Sequence, residues 1–368
     1  MKSGKNMGLR SFIAKRVAYS FLLIFLVCTL NFVIFILMPG DPVGMFVGGI
    51  RGLSREDKEM LIQRMKERLG IGDPTHIQYL KYIKNMFTWN LGESMQTRKS
   101  VADALVYRIP FTIYLMGGST ALAVIIGVVF GVLVAAKRGG KFDGSMVFTS
   151  LVLYSLPTFW MGMIFISIFF SNLGWFPSAH AYPPQWNRLA ADGSGNMWPR
   201  PFTLTSNGST QASNLVLAVN TNELMTLAGG FFTHGFLPLA TLTLFLYGGY
   251  LLLTRATMLD ALTEDYIVTA RAKGLSETNI LFRQALKNAS LPLITSVAIA
   301  FGFMLSGAII TESVYSWPGL GGWIWQAIQQ QDYYVLQAFF YIIALCVIAA
   351  NFVADLIYGV IDPRIKYG

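Results

Sequence analysis

Charge is scarce in this chain. Its 368 residues include 28 Lys and Arg and 19 Asp and Glu, so charged side chains make up 13% of the sequence, against about 25% in an ordinary soluble domain. With 54% hydrophobic residues, that shortage excludes a conventional water-soluble globule and makes a lipid bilayer the natural solvent. Cysteine is scarce too. Cys28 and Cys346 each lie inside an apolar run, which argues against a thiol site or a metal-ligand cluster. The three histidines, His76, His180 and His234, are far apart in sequence, and no nucleophile and base accompany them, so a membrane-embedded enzyme or receptor is disfavoured. No GxxxxGK[ST] loop or other phosphate cradle occurs, and the chain is not expected to hydrolyse ATP alone. The net charge of +9 would prompt a search for nucleic acid in a soluble protein. Here it falls largely beside apolar runs, and no nucleic-acid partner is expected.

Long charge-free intervals are what the sequence does have. A central Asp, Lys or Arg costs roughly 2.5 to 3.5 kcal/mol on insertion scales, while about 20 apolar residues cross the hydrocarbon. Six intervals qualify as spans: Arg16 to Asp41, Arg108 to Lys137, Asp143 to Arg188, Glu223 to Arg255, Lys287 to Glu312, and Asp332 to Asp355. The first is read as an uncleaved helix rather than a signal peptide, because it ends in Leu37-Met38-Pro39-Gly40 without a small-x-small cleavage site. Lys137, Arg138 and Lys141 lie between spans two and three, whereas Thr311 to Tyr334 contains no Lys or Arg. Both termini are therefore expected to be cytoplasmic. The external stretch from Asp41 to Arg108 pulls the other way with eleven basic and eight acidic residues, but loops longer than about 60 residues are weak orientation signals.

Outside the spans, SREDKEMLIQRMKERL from Ser54 to Leu69 has helical apolar spacing. Ser54 with Asp57 suggests an N-terminal cap and Gly70 a stop. The segment at about 177–233 is rich in Pro, Gly, Ser, Asn and Trp. Loops of that length are functional or disordered as a rule, and contact with a delivery protein, a cover over a pore mouth and a tolerated insertion stay equally open. Pro157 and Gly248-Gly249 are candidate kinks, though helix packing explains them equally well.

The longest cytoplasmic connection, DALTEDYIVTARAKGLSETNILFRQALKNASLP at about 259–290, reads as two short helices around a turn. Thr263 is a candidate N-cap followed by Glu264 and Asp265, Gly274 ends the first helix, and Ser276 is a second N-cap candidate. Small alanines and a glycine between two apolar stripes suit a docked partner surface. An amphipathic hairpin lying on lipid headgroups, with Arg271, Lys273, Arg283 and Lys287 reaching phosphates, suits them equally.

This loop resembles the cytoplasmic signature of binding-protein-dependent ABC transporter permeases, in the form used by the dipeptide and oligopeptide branch. The resemblance extends to LGESMQTRKSVADALVYRIPFTIYL before span two, GWFPS after span three and HGFLPLATLTL at span four. It also covers nearly all of TESVYSWPGLGGWIWQAIQQQDYYVLQAFFYIIALCVIAANFVADLIYGVIDPRIKYG, and it matches the first of the branch's two permease subunits. It includes the first span and then about residue 90 to the end, without the external insert. The generic signature's Glu-Ala-Ala triplet is replaced by Val268, Thr269 and Ala270, and its proline lies farther on, at Pro292. A docking role is therefore carried over, but no contact by the missing glutamate.

The resemblance implies an all-α integral membrane protein of six transmembrane helices with the ABC importer permease (MetI-like) fold. It implies an N-terminal tail and first helix over 1–40, an extracytoplasmic segment with a short helix over 41–108, and a permease core over 109–368. Glu264, Tyr266, Thr269, Ala270, Arg271, Ala272, Lys273, Gly274 and Leu275 would couple this core to a cytoplasmic ATPase. The implied partners are a homologous second permease, two ABC ATPase subunits that bind ATP and Mg, and an extracytoplasmic solute-binding protein, all at a prokaryotic cytoplasmic membrane. No cofactor is expected on this chain. Peptides are the leading substrate, with nickel chelates or oligosaccharides as alternatives. An ion-coupled secondary transporter is the rival class, but such proteins commonly carry ionisable residues in their spans. Here only Asp355, near the end of span six, comes close, and capping or packing beside Asn351 explains it. The candidate substrate path is neutral: Asn31, Ser155, Ser167, Thr241, Thr243 and Asn351. Polar residues in spans also commonly bond the backbone or a neighbouring helix.

Overall fold

A computed structural model describes residues 9–37, 54, 56–57, 59–60, 62–63, 73–181, 202–206, 215–219 and 221–361. The apolar runs fold as helices because lipid offers backbone N–H and C=O groups no partner, so each span must satisfy its own. In chain order these are α1 (Leu9–Leu37), the amphipathic α2 (Thr75–Phe87), α3 (Val101–Ala136), α4 (Lys141–Ser155) and α5 (Thr158–Asn172). They continue with α6 (Thr221–Leu262), α7 (Asp265–Ala272), α8 (Glu277–Ser306), α9 (Ile309–Val314), α10 (Leu320–Gln329) and α11 (Tyr333–Ile361). Among the described residues five helical runs, in α1, α3, α6, α8 and α11, are long and apolar enough to cross a membrane. The pair α4 and α5 adds a sixth if taken as one bent span.

The bend between α4 and α5 is 99° and falls at Pro157, where Leu156 and Pro157 leave helical backbone angles. Pro has no N–H to continue the ladder and disfavours helix in the residue before it. Gly248-Gly249 makes no such break, since α6 runs through both. Gly248 serves close packing: a Cβ there would lie 2.7 Å from the Ser150 carbonyl oxygen of α4. Gly127 and Gly131 do the same on α3, against Tyr250 and Thr254 of α6. Small residues that admit a neighbouring backbone are the usual device for joining helices in lipid, where apolar burial gives little drive. The bundle centres on α6, which packs on α3, α4, α5 and α8. A second assembly joins α1, α2, α10 and α11, and Gly302 lets α8 approach Val347 and Ala350 of α11.

The all-helical expectation needs one amendment. Phe202–Ser206 (β1) and Leu215–Val219 (β2) pair as an antiparallel hairpin inside the insert, where the sequence suggested only loop. The Ser54 cap is present: Asp57 N donates to Ser54 Oγ at 3.1 Å and Ser54 Oγ donates to Asp57 Oδ2 at 2.7 Å. Gly70 and the Asp355 side chain lie outside what is described.

Candidate functional site

The loop at about 259–290 is built onto one end of the bundle. After Leu262, Glu264 takes extended backbone angles as the N-cap of α7. Thr263, the expected cap, instead donates its hydroxyl back to the Asp260 carbonyl of α6 at 2.7 Å. Asp265 in the first turn and Arg271 in the last complement the helix dipole. Gly274 closes the helix at φ +73°, with Gly274 N donating to Arg271 O at 2.9 Å and Leu275 N to Ala270 O at 3.3 Å. That is the left-handed glycine stop the sequence called for. Ser276 begins the next helical run in extended conformation but makes no side-chain cap bond. Across the turn, Arg271 Nε pairs with Glu277 Oε1 at 3.1 Å, both side chains being exposed.

One face of this loop is fully used by its own chain. Ile267, Ala270, Ile280, Ala285 and Ala289 are buried against Val132 and Ala135 of α3 and Met258 and Ala261 of α6. The smallness of Ala270 therefore serves packing within the chain, where it is buried. Tyr266 and Leu275 pack partly buried against the same cluster. The Tyr266 hydroxyl is buried with no hydrogen-bond partner among the described residues. The opposite face is open. Val268 is 63% exposed, and Glu264, Thr269, Arg271, Ala272, Lys273 and Gly274 are exposed beside it. Val268 and Ala272, four apart, share one helix face, and a Cβ at Gly274 would meet nothing within 4 Å.

The candidate path residues are distributed over α1, α4, α5, α6 and α11. Asn31 is buried and donates to Tyr82 Oη at 2.9 Å and Gln337 O at 3.0 Å, tying α1 to α2 and α11. Thr241 bonds Leu237 O and Tyr315 Oη at 2.9 Å each, and Thr243 donates to Leu239 O at 2.7 Å. Ser155 donates to Val152 O at 2.9 Å; it is exposed, as are Ser167 and Asn351. An apolar groove of about 750 Å³ runs between α3, α8 and α11, lined by Val124, Val128, Leu293, Val297, Ala350 and others, with Ser290 its one hydroxyl. None of the six path residues lines it.

Three acidic residues that the sequence offered only as span boundaries are buried and bonded. Glu312, 1% exposed, accepts from Gly322 N at 2.9 Å and from Thr112 Oγ1 at 3.4 Å. Thr112 Oγ1 in turn accepts from Leu320 N at 2.8 Å. Burial pushes the Glu312 carboxyl above its ordinary value, against the opposing pull of these donors. Around it, Tyr315 donates to Gly162 O at 3.3 Å, Trp317 Nε1 donates to Phe111 O at 3.0 Å, and Arg108 lies over the Trp323 ring. Burial also pushes the Tyr315 phenol up to about 12, keeping it a neutral hydroxyl. Asp332 accepts from Ser94 Oγ at 2.6 Å, and Asp143 is held by Arg255. Among the described residues no group of three or more His, Cys, Asp or Glu is placed to hold a metal ion.

A bundle of membrane-length helices, with a two-helix loop that buries one face in the bundle and bares the other, defines a multi-pass membrane protein with an exposed helix face at one end. The chain belongs to the family of binding-protein-dependent transport system inner membrane components, whose model matches residues 127–367. A companion model for the N-terminal part of such membrane components matches residues 9–116. The chain is 36% identical to a di/tripeptide transport system permease protein of Pseudomonas aeruginosa, over 97% of this chain and 99% of that protein. It is 32% identical to an oligopeptide transport system permease protein of Bacillus subtilis, with the same coverage. With a dipeptide transport system permease protein of Escherichia coli it shares 36% identity over 92% and 93% of the two chains. The family is one of transport components rather than catalysts.

Proposed function

We propose that this chain forms the translocation path for di- and oligopeptides in an ATP-driven importer, together with a homologous second permease. ATP and Mg are bound by two cytoplasmic ATPase subunits, and an extracytoplasmic binding protein delivers the peptide. The observation that carries this reading is the end-to-end similarity to three permeases whose names specify peptides. In this account Val268, Thr269, Ala272, Lys273 and Gly274 meet the ATPase, while Ile267 and Ala270 hold their helix to the bundle.

Six spans are counted by taking α4 and α5 as one bent crossing, and both termini face the cytoplasm. Charge supports that orientation. The 137–141 turn and the α7 loop lie at one end of the bundle, since Ala135 packs in the cluster of Ile267 and Ala270. Lys137, Arg138, Lys141, Arg271, Lys273, Arg283 and Lys287 all belong to these two loops, as expected for the cytoplasmic side. Uptake of labelled di- and tripeptides in the native host tests the function. Deleting this gene is expected to abolish ATP-dependent uptake and its restoration to recover it. Unchanged uptake of every peptide tried, with loss of a non-peptide solute, would contradict the peptide assignment.

A further inference from the structure

The geometry points to Asp143 and Arg255 as a positioning pair that makes α3, α4, α6 and the ATPase-facing helix α7 move as one body; this rests on the importer reading above. Arg255 meets the carboxylate with two donors, Nε to Oδ1 at 2.7 Å and Nη2 to Oδ2 at 2.8 Å. The backbone N–H of Gly139 gives Oδ2 a third bond at 2.9 Å. A forked guanidinium on a carboxylate fixes orientation as well as distance, which a lysine point charge does not. The pair is sheltered, with Asp143 only 5% exposed and the Arg255 side chain 27% exposed.

Its placement gives it a mechanical role. Asp143 sits in the first turn of α4, directly after the Gly139-Gly140 turn that follows α3, and Gly139 has φ +76°. Two glycines in a short connection do not themselves fix the start of α4; Ser150 packs on Gly248 farther along, and the pair holds the first turn. Arg255 stands on the last turns of α6. Within the next two turns Met258 and Ala261 enter the cluster that buries Ile267 and Ala270 of α7. A continuous path therefore runs from the α7 surface through Ala270, Met258 and Arg255 to Asp143 and α4. Thr254, beside Arg255, packs where Gly131 of α3 leaves room, since a Cβ at 131 would stand 2.5 Å from Thr254 Cβ. Motion imposed on α7 then reaches α4, and through it the Pro157 bend, without being lost at the glycine turn.

The test is transport per ATP hydrolysed by the purified complex in proteoliposomes, with its ATPase subunits and binding protein. Coupling between linked sites is on the order of 5- to 150-fold in affinity, and its loss is read here as a fall in the ratio. We expect D143N and R255Q each to lower the ratio by about tenfold on that scale while ATP hydrolysis continues. R255K, which keeps the charge without the fork, is expected to fall between them and wild type, and it carries the test if the neutral variants do not assemble. The exchange D143R with R255D is expected to recover part of the ratio. A D143N or R255K complex that assembles and transports at the wild-type ratio would overturn the inference alone. A wild-type preparation without ATPase subunits would overturn the importer reading beneath it.

Discussion

Gly319 lies against the carboxylate of Glu312 so closely that a Cβ at 319 would stand 2.5 Å from Oε1. The carboxylate cannot retreat, because it holds Gly322 N and Thr112 Oγ1. Gly319→Ala is therefore expected to lower stability by about 1 to 3 kcal/mol, the usual cost of overpacking, read as a lower melting temperature in detergent. Gly322→Ala is the control. Its Cβ would come no nearer than 3.9 Å, to the Trp317 carbonyl oxygen, and its N–H would still reach Glu312.

Glu312 should also leave a signature in pH. Its carboxyl is raised in the folded protein by burial, so the folded state holds the proton more tightly than the unfolded one. Stability then increases as pH falls from neutrality through the folded value and levels off below the unfolded carboxylate value of about 4.3. Comparing melting curves of wild type and Glu312→Gln between pH 7 and 5 isolates this contribution. The expected result is a shallower slope in the variant, and parallel slopes would contradict it.

Two adjacent glycines of α6 give a sharper contrast. Gly248→Ala meets the Ser150 backbone at 2.7 Å, whereas Gly249→Ala finds only Tyr154 Cε2 at 3.9 Å. The first is expected to cost about 1 to 3 kcal/mol and to reduce the yield of folded protein on size-exclusion chromatography. The second should behave as wild type.

Much of this was legible in the sequence. Charge-free intervals located the helical runs, since charge in hydrocarbon is costly whatever the fold. Local rules gave the left-handed stop at Gly274 and the Ser54 cap, which depend on residues a few positions apart. What the sequence hid depends on distant partners. Glu312 and Thr112 are 200 residues apart and Asp143 and Arg255 are 112 apart, so each carboxylate looked like a span boundary instead of a buried group with donors. The inward packing of Ala270 is hidden for the same reason: a small residue facing inward and one facing a partner look alike until the helix is placed on its bundle.

Gly274 separates backbone strain from contact. Its φ of +73° suits Gly and is tolerated by Asn, while a β-branched residue there is a genuine outlier. Space is open around it. Gly274→Asn is expected to retain peptide uptake, and Gly274→Val to lose most of it while still inserting in the membrane. Equal uptake by both would remove the conformational requirement.

The central claim is that the exposed face of α7 docks an ATPase, and co-purification in mild detergent from the native host, with mass spectrometry of what stays bound, tests it most directly. The account predicts that the wild-type chain brings down a second permease and nucleotide-binding ATPase subunits. It predicts that Val268→Asp keeps the second permease but loses the ATPase, because the substitution alters only the bare side of the helix. ATPase recovery unchanged by Val268→Asp, or a wild-type chain that emerges alone and intact, would contradict it.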